Sequence, residues 1–186
     1  MTIAAIILTK NESKHIERCI KSLIGVIDDI VVVDSFSDDD TCEKAEALGA
    51  RVFKNPWKNY ATQFNFGVYE TGIVADWIWR IDADEYLDGG LGKAVKDYVQ
   101  TAPSNVNGIY VRRRIDFMGK SLRHGGWYPC WYMKVFRRNH GDCENRWMDE
   151  HIRIFDGEAV RIETGDQVDD NLNDLTWWTE KHNGYA

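Results

Sequence analysis

Unbroken apolar runs alternate with segments of helical periodicity through the first hundred residues. Residues 3–8 and 30–33 are continuously apolar, as expected of strands covered on both faces. Between them Ile16, Cys19, Ile20 and Leu23 recur at the spacing of one helix face. After the second run, Ser37 is the expected N-cap, with Asp38, Asp39 and Asp40 in the first turn of a helix that passes Ala45 and Leu48 and stops at Gly49. A short strand at 51–54, a helix at 60–69, a strand at 76–81 and an amphipathic helix through Leu91, Ala94, Val95, Tyr98 and Val99 continue the alternation. This order predicts an α/β fold with a mostly parallel, Rossmann-like central sheet flanked by helices.

The second half reads differently. Residues 108–115 and 131–137 are expected strands, the latter alternating Trp131, Met133 and Val135. Between them lies a glycine-bearing aromatic loop, His124-Gly125-Gly126-Trp127-Tyr128-Pro129. No repeat or linker interrupts the 186 residues, so one domain is expected. Residues 1–105 form its first half, and a smaller β element in 106–186 completes the site. Residues 175–186 resemble a helix cut short, which suggests a truncated C-terminus and a missing segment that meets a membrane or a partner.

The net charge of −7 argues against general nucleic-acid binding. Four cysteines without paired spacing suggest neither a metal knuckle nor a disulfide framework. The N-terminus lacks the basic region of a secretory leader, and no stretch reaches spanning length, so a cytoplasmic setting is expected, at the inner face of a membrane if the missing segment docks there.

Polar residues collect where the parallel strands end: Thr9-Lys10-Asn11-Glu12 after the first, Asp34-Ser35-Phe36-Ser37 after the second, and Asp82 to Glu85 after the fourth. Ligands of open α/β sheets lie beyond those ends. In an extended chain Asp82 and Asp84 point to the same side and converge on one point. Two hard oxygen ligands there suit Mg²⁺ or Mn²⁺ carrying a phosphorylated substrate.

With these pieces in order, the chain resembles the family 2 glycosyltransferases of the GT-A fold, in particular bacterial enzymes of lipopolysaccharide-core, capsule or exopolysaccharide synthesis. The matching segments are Ile-Leu-Thr-Lys-Asn-Glu at 7–12, Val-Val-Val-Asp-Ser-Phe-Ser-Asp-Asp-Asp-Thr at 31–41, Asp-Ala-Asp-Glu at 82–85, Trp-Met-Asp-Glu-His at 147–151 and Asp-Asp-Asn-Leu at 169–172. The resemblance implies an inverting, metal-dependent transfer from a nucleotide-sugar, with a UDP-sugar expected, to a saccharide or lipid-linked acceptor. It assigns Thr9, Asn11 and Glu12 to the base and ribose of the donor, and Asp34 to the uracil. Asp82 and Asp84 match the family's Asp-x-Asp pair, the last of them being the metal ligand. Arg80, just before that pair, either neutralises carboxylates or touches the diphosphate. Glu150 is the preferred general base and Asp149 the alternative. The family's downstream histidine is missing, since that region reads Asp169-Asp170-Asn171, which leaves the third metal ligand open.

Other residues carry two readings. His124, Trp127 and Tyr128 suit an acceptor sugar or an aromatic plug in a structured loop. Arg112, Arg113 and Arg114 meet a phosphorylated acceptor or balance Asp116. Gln63, Asn65 and Gly67 touch the donor or lie on a surface helix face. Two other functions remain in view. A sugar-nucleotide pyrophosphorylase needs a glycine-rich loop after the first strand, which Thr9-Lys10-Asn11-Glu12 is not. A non-catalytic nucleotide-sugar or carbohydrate-binding module would not need the paired acids.

Overall fold

The computed structural model describes residues 1–146 and 150–183. The first half folds as the alternation predicts: β1 (Ile3–Thr9), α1 (Ile16–Leu23), β2 (Asp29–Asp34), α2 (Thr41–Ala47), β3 (Arg51–Lys54), α3 (Tyr60–Glu70), β4 (Trp77–Asp82), β5 (Glu85–Asp88) and α4 (Leu91–Thr101). The second half adds β6 (Val106–Phe117), β7 (Lys120–Ser121), β8 (Cys130–Arg137), β9 (Gly141–Cys143), β10 (Ile152–Ile154), β11 (Glu158–Arg161), β12 (Asp166–Asp169) and α5 (Leu175–Asn183).

The main sheet runs β3-β2-β1-β4-β8-β6-β12-β5. Its first four strands are parallel. β8 is antiparallel to both β4 and β6, and β12 is parallel to β6. The second half therefore continues the same sheet, and only β9 and β10 form a separate ribbon among the described residues. A long central strand needs apolar side chains on both faces, and β1 supplies them. Ile3, Ala5 and Ile7 pack with α1 and α4, while Ala4 and Ile6 pack with α3. Gly67 lets α3 approach closely; a Cβ there would stand 2.8 Å from Ile6 Cγ2. Gly67 is thus a packing residue, and Gln63 and Asn65 also face inward, bonding Ser35 Oγ and the Cys143 carbonyl.

One local expectation fails. Helix α2 begins at Thr41, and Ser37 does not cap it. Ser37 instead turns back onto Asp34, and Asp39 accepts from the Thr41 N–H. Short polar side chains compete for backbone donors in turns as readily as at helix ends, and here the turn wins.

Candidate active site

β1, β2 and β4 deliver their carboxyl ends to one rim, and a cavity of about 800 Å³ opens there. Thr9, Glu12 and Ser35 line it from the first two strand ends, Asp82 and Asp84 from the fourth, and Trp57, Lys58, Asn59 and Tyr60 from the entry to α3. The second half contributes Arg113, Arg146, Glu150, Asp169 and Lys181. Asp82 and Asp84 therefore do converge, but by another route than extension. Asp82 closes β4, and Ala83-Asp84 form the turn that reverses the chain into β5.

The two acids sit in different surroundings. Asp82 shares its face of β4 with Arg80, two residues back. Tyr60 donates its hydroxyl to Asp82 Oδ1, and Arg80 Nε donates to the Tyr60 oxygen at 2.7 Å. Lys134 Nζ stands 3.4 Å from Asp82 Oδ2 and 3.1 Å from both oxygens of Glu85. Burial pushes the Asp82 carboxyl up, but the Lys134 ammonium and the Arg80 guanidinium outweigh it and hold the group well below the usual carboxylate range. Asp84 is bound more lightly, accepting from Asn171 Nδ2 at 3.0 Å. Glu85 faces the other way. It is 1% exposed, takes N–H bonds from Asp82 and Gln167, and is kept above its ordinary value by burial. Asp169, paired with Arg113, is raised as well, first by burial and then by the neighbouring Asp84 and Asp82.

The donor set suits a divalent cation. Asp84 and Asp169 present hard oxygens to one cavity, and their mutual repulsion is what such a charge relieves. Asp82, already engaged by Tyr60 and Lys134, is the less available of the Asp-x-Asp pair. Among the described residues no three His, Cys, Asp or Glu side chains are gathered as a ready metal cluster, so water and phosphate oxygens would complete the shell.

Several sequence assignments change. Asp34 has no exposed surface. Its oxygens accept from Thr9 Oγ1 at 2.8 Å, from Ser37 N–H at 2.7 Å and from Ser37 Oγ at 2.5 Å. These bonds hold its carboxyl below the ordinary value against the opposing effect of burial. Asp34 thus shapes the strand end, and the side chain at the cavity is Ser35. Asn11 also misses the cavity. It stitches two loops together, its N–H donating to Ser37 Oγ and its Oδ1 accepting from Asp38 N–H. Arg80 is largely buried and points at protein groups, not into the cavity. Glu12 does line the wall, and His15 fixes it at 2.6 Å. Leu172 N–H donates to His15 Nε2, which puts the ring proton on Nδ1, facing Glu12. Asp149 lies outside the described residues; Glu150 does reach the cavity.

A second cavity of about 310 Å³ adjoins the first, with Arg113 in the wall of both. Trp127, Tyr132, Cys130 and Ile115 line it. Tyr128 does not; its hydroxyl donates to Asp166 at 2.9 Å, and its ring lies beside Arg112 and Arg123. His124 is exposed and stands outside this lining. The arginine run divides by strand parity. Arg112 and Arg114 pair with Asp166 on one face of β6, while Arg113 turns to the site.

Sequence reasoning missed Tyr60 and Lys134, and it did not separate Ser35 from Asp34 or Arg113 from its neighbours. Lys134 left a trace, a lone cation inside the apolar run Met133-Lys134-Val135-Phe136.

Known proteins place this geometry. The chain is 49% identical over 85 residues to an uncharacterized glycosyltransferase of Rickettsia felis, an alignment covering 46% of this chain and 29% of that protein. It is 31% identical over 124 residues to the lipopolysaccharide core biosynthesis glycosyltransferase LpsC of Rhizobium meliloti, covering 64% of this chain and 44% of LpsC. This chain thus spans less than half the length of either relative. The solved mannosyltransferase PcManGT from Pyrobaculum calidifontis, in complex with GDP-Man and Mn²⁺, superposes with a TM-score of 0.51 at 18% identity, over 73% of this chain and 44% of that one, a likeness of fold. The family profile described as glycosyl transferase family 2 matches residues 4–157, and the chain belongs to that family.

Proposed function

We propose that the chain is the donor-binding and catalytic domain of an inverting, metal-dependent glycosyltransferase, moving a sugar from a nucleotide-diphosphate donor to a saccharide or lipid-linked acceptor in bacterial surface-polysaccharide synthesis. One observation carries this reading. Asp82, Asp84 and Glu150, distant in the chain, line a single cavity at the carboxyl ends of parallel strands.

In this reading residues 1–105 hold the donor. Thr9, Glu12 and Ser35 meet the base and ribose, and Asp84, with Asp82 behind it, holds Mn²⁺ or Mg²⁺. When bound, the metal neutralises charge on the departing diphosphate. Lys58, Arg146 and Lys181 put further positive charge at the same cavity. Residues 106–186 form the acceptor half. The acceptor sugar lies in the second cavity against Trp127 and Tyr132. Its hydroxyl attacks the anomeric carbon from the face opposite the diphosphate, and the bond to the diphosphate oxygen breaks. Glu150 takes the hydroxyl proton, a contribution of roughly 10²–10⁴-fold; Asp149 is the alternative base. The name of LpsC supports the surface-polysaccharide role, and a place at the cytoplasmic face of the membrane goes with that reading. Among the described residues no helix is long and apolar enough to cross a membrane.

Calorimetry with UDP, with and without Mn²⁺, tests the donor site, with GDP as the rival base. Release of nucleotide from a panel of UDP- and GDP-sugars tests turnover. The expected result is metal-dependent binding in the parent and in Glu150→Gln and Asp149→Asn, with turnover lost in whichever variant removes the base. Binding without turnover in the parent, with acceptor saccharides present, favours a binding module and sinks the catalytic reading.

A further inference from the structure

Among the described residues, Arg80 is the side chain that reaches both the donor-side acid and the segment carrying the candidate base. From the inward face of β4, its Nε donates to the Tyr60 oxygen at 2.7 Å, and Tyr60 in turn donates its hydroxyl to Asp82 Oδ1. Its Nη1 donates to the Glu150 carbonyl at 2.8 Å. The guanidinium lies 4.0 Å from the centroid of the Tyr60 ring, so its plane is fixed by stacking as well as by hydrogen bonds. The side chain is 14% exposed. We infer that Arg80 is a positioning residue, which with Tyr60 ties the backbone of Glu150 to Asp82 and so sets the distance between the candidate base and the leaving group. The role of Glu150 in this statement depends on the function proposed above; the tie itself does not.

The geometry demands a forked donor. Three contacts converge on one planar group: the ring below it, the hydroxyl at Nε and the carbonyl at Nη1. Lysine keeps the charge but has no planar fork to span these two acceptors while stacking on the ring. The two ends of the tie also differ in what holds them. Asp82 ends a buried strand, whereas Glu150 lies between the short strands β9 and β10, where Glu144 N–H donates to the His151 carbonyl at 3.0 Å and side chains of α3 and its cap, Asn65 on Cys143 and Asn59 on Asn145, supply the anchors. Loss of the tie therefore loosens the Glu150 side first.

The test compares the parent with Arg80→Lys and Tyr60→Phe. Hydrogen exchange at the Glu144 amide, which donates to the His151 carbonyl, reads the tie without any substrate, and calorimetry with UDP and Mn²⁺ reads the donor site. Arg80→Lys is expected to speed exchange at that amide about tenfold or more, the loss of one charge-assisted bond, while changing the affinity for UDP with Mn²⁺ less than about threefold. Tyr60→Phe, which keeps the ring beneath the guanidinium, is expected to give a smaller rise in exchange and confirms that Arg80→Lys has not merely misfolded. Where the parent turns over a nucleotide-sugar, Arg80→Lys lowers kcat and leaves the donor KM near the parent value. The inference is overturned if Arg80→Lys weakens UDP binding tenfold while exchange at Glu144 stays at the parent rate, since Arg80 would then be a donor contact. Absent turnover in the parent would undo the proposed function and leave the exchange result intact.

Discussion

The two walls of the large cavity hold their charges in different ways. On the strand-end wall the acids other than Asp84 are tied into the protein. Asp34 is enclosed by Thr9 and Ser37, Glu85 lies under Lys134 and Gln167, and Asp82 is engaged by Tyr60 and Lys134. On the wall from the second half, Glu150 stays partly open, and Trp127 in the adjoining cavity is 55% exposed. An acid at a strand end is therefore not by itself a ligand. The tied acids fix the shape of the rim, and only those left with an open side can meet a substrate or a cation.

The largest effect expected from breaking this contrast is at Lys134. It is 6% exposed and lies between two carboxylates. Lys134→Met leaves uncompensated buried charge and is expected to cost about 3–5 kcal/mol, read by urea unfolding. Glu85→Gln in the same chain should restore much of the loss. The pH dependence gives a further check. Burial already holds the Glu85 carboxyl above its ordinary 4.5, against the pull of Lys134, and removing the cation raises it further. A carboxyl raised in the folded state stabilises below the unfolded value, and that stability is lost as pH rises through the folded value. The deficit of Lys134→Met should therefore shrink from about pH 7 toward about pH 5. A constant deficit would show that packing, not charge, explains it.

Asp34 comes next. Asp34→Ala strands the buried Thr9 hydroxyl and the Ser37 N–H, at a cost of about 1.5–3 kcal/mol in the same unfolding measurement. The native carboxyl is held below its ordinary value, so its contribution is present above the unfolded value and is lost as pH falls through the folded one. Loss of UDP affinity with parental stability would instead return Asp34 to the role of a base contact.

The sequence makes this division half visible. Continuous apolar runs announce β1, β2 and β4, because strands covered on both faces have no polar alternation to hide. Polar strand ends then locate the rim. What stays hidden is which way each acid turns. Asp34 and Ser35 are neighbours, and one residue of register decides which is buried and which faces the cavity. Asp82 and Asp84 meet through a turn that extension arguments do not foresee. Parity along β6 would have separated Arg113 from Arg112 and Arg114, had the strand's pairing with β12 been known. Tyr60 gave no signal, because its importance comes from a contact with β4, distant in the chain.

Asp84 tests the open side of the contrast. Asp84→Asn keeps the shape and the bond from Asn171, so stability should change by less than about 0.5 kcal/mol. Its removal of charge should reduce the Mn²⁺-dependent part of UDP affinity about tenfold, near 1.4 kcal/mol. Calorimetry decides it. Unchanged metal dependence would transfer the ligand role to Asp169 or Asp82.

The smallest effect is expected at Trp127, and it bears on the other wall alone. The side chain is half exposed and lines only the second cavity. Trp127→Ala removes little buried area, so unfolding should shift by no more than about 0.5 kcal/mol. Binding of UDP with Mn²⁺ should not change, because no part of this ring reaches the first cavity's lining. An acceptor sugar stacked on the ring would lose about 1 kcal/mol, a rise of roughly fivefold in acceptor KM at nearly constant kcat. A fall in kcat with KM unchanged would mean that Trp127 orders the Glu150 wall instead of holding the acceptor, and the second cavity would then belong to the scaffold.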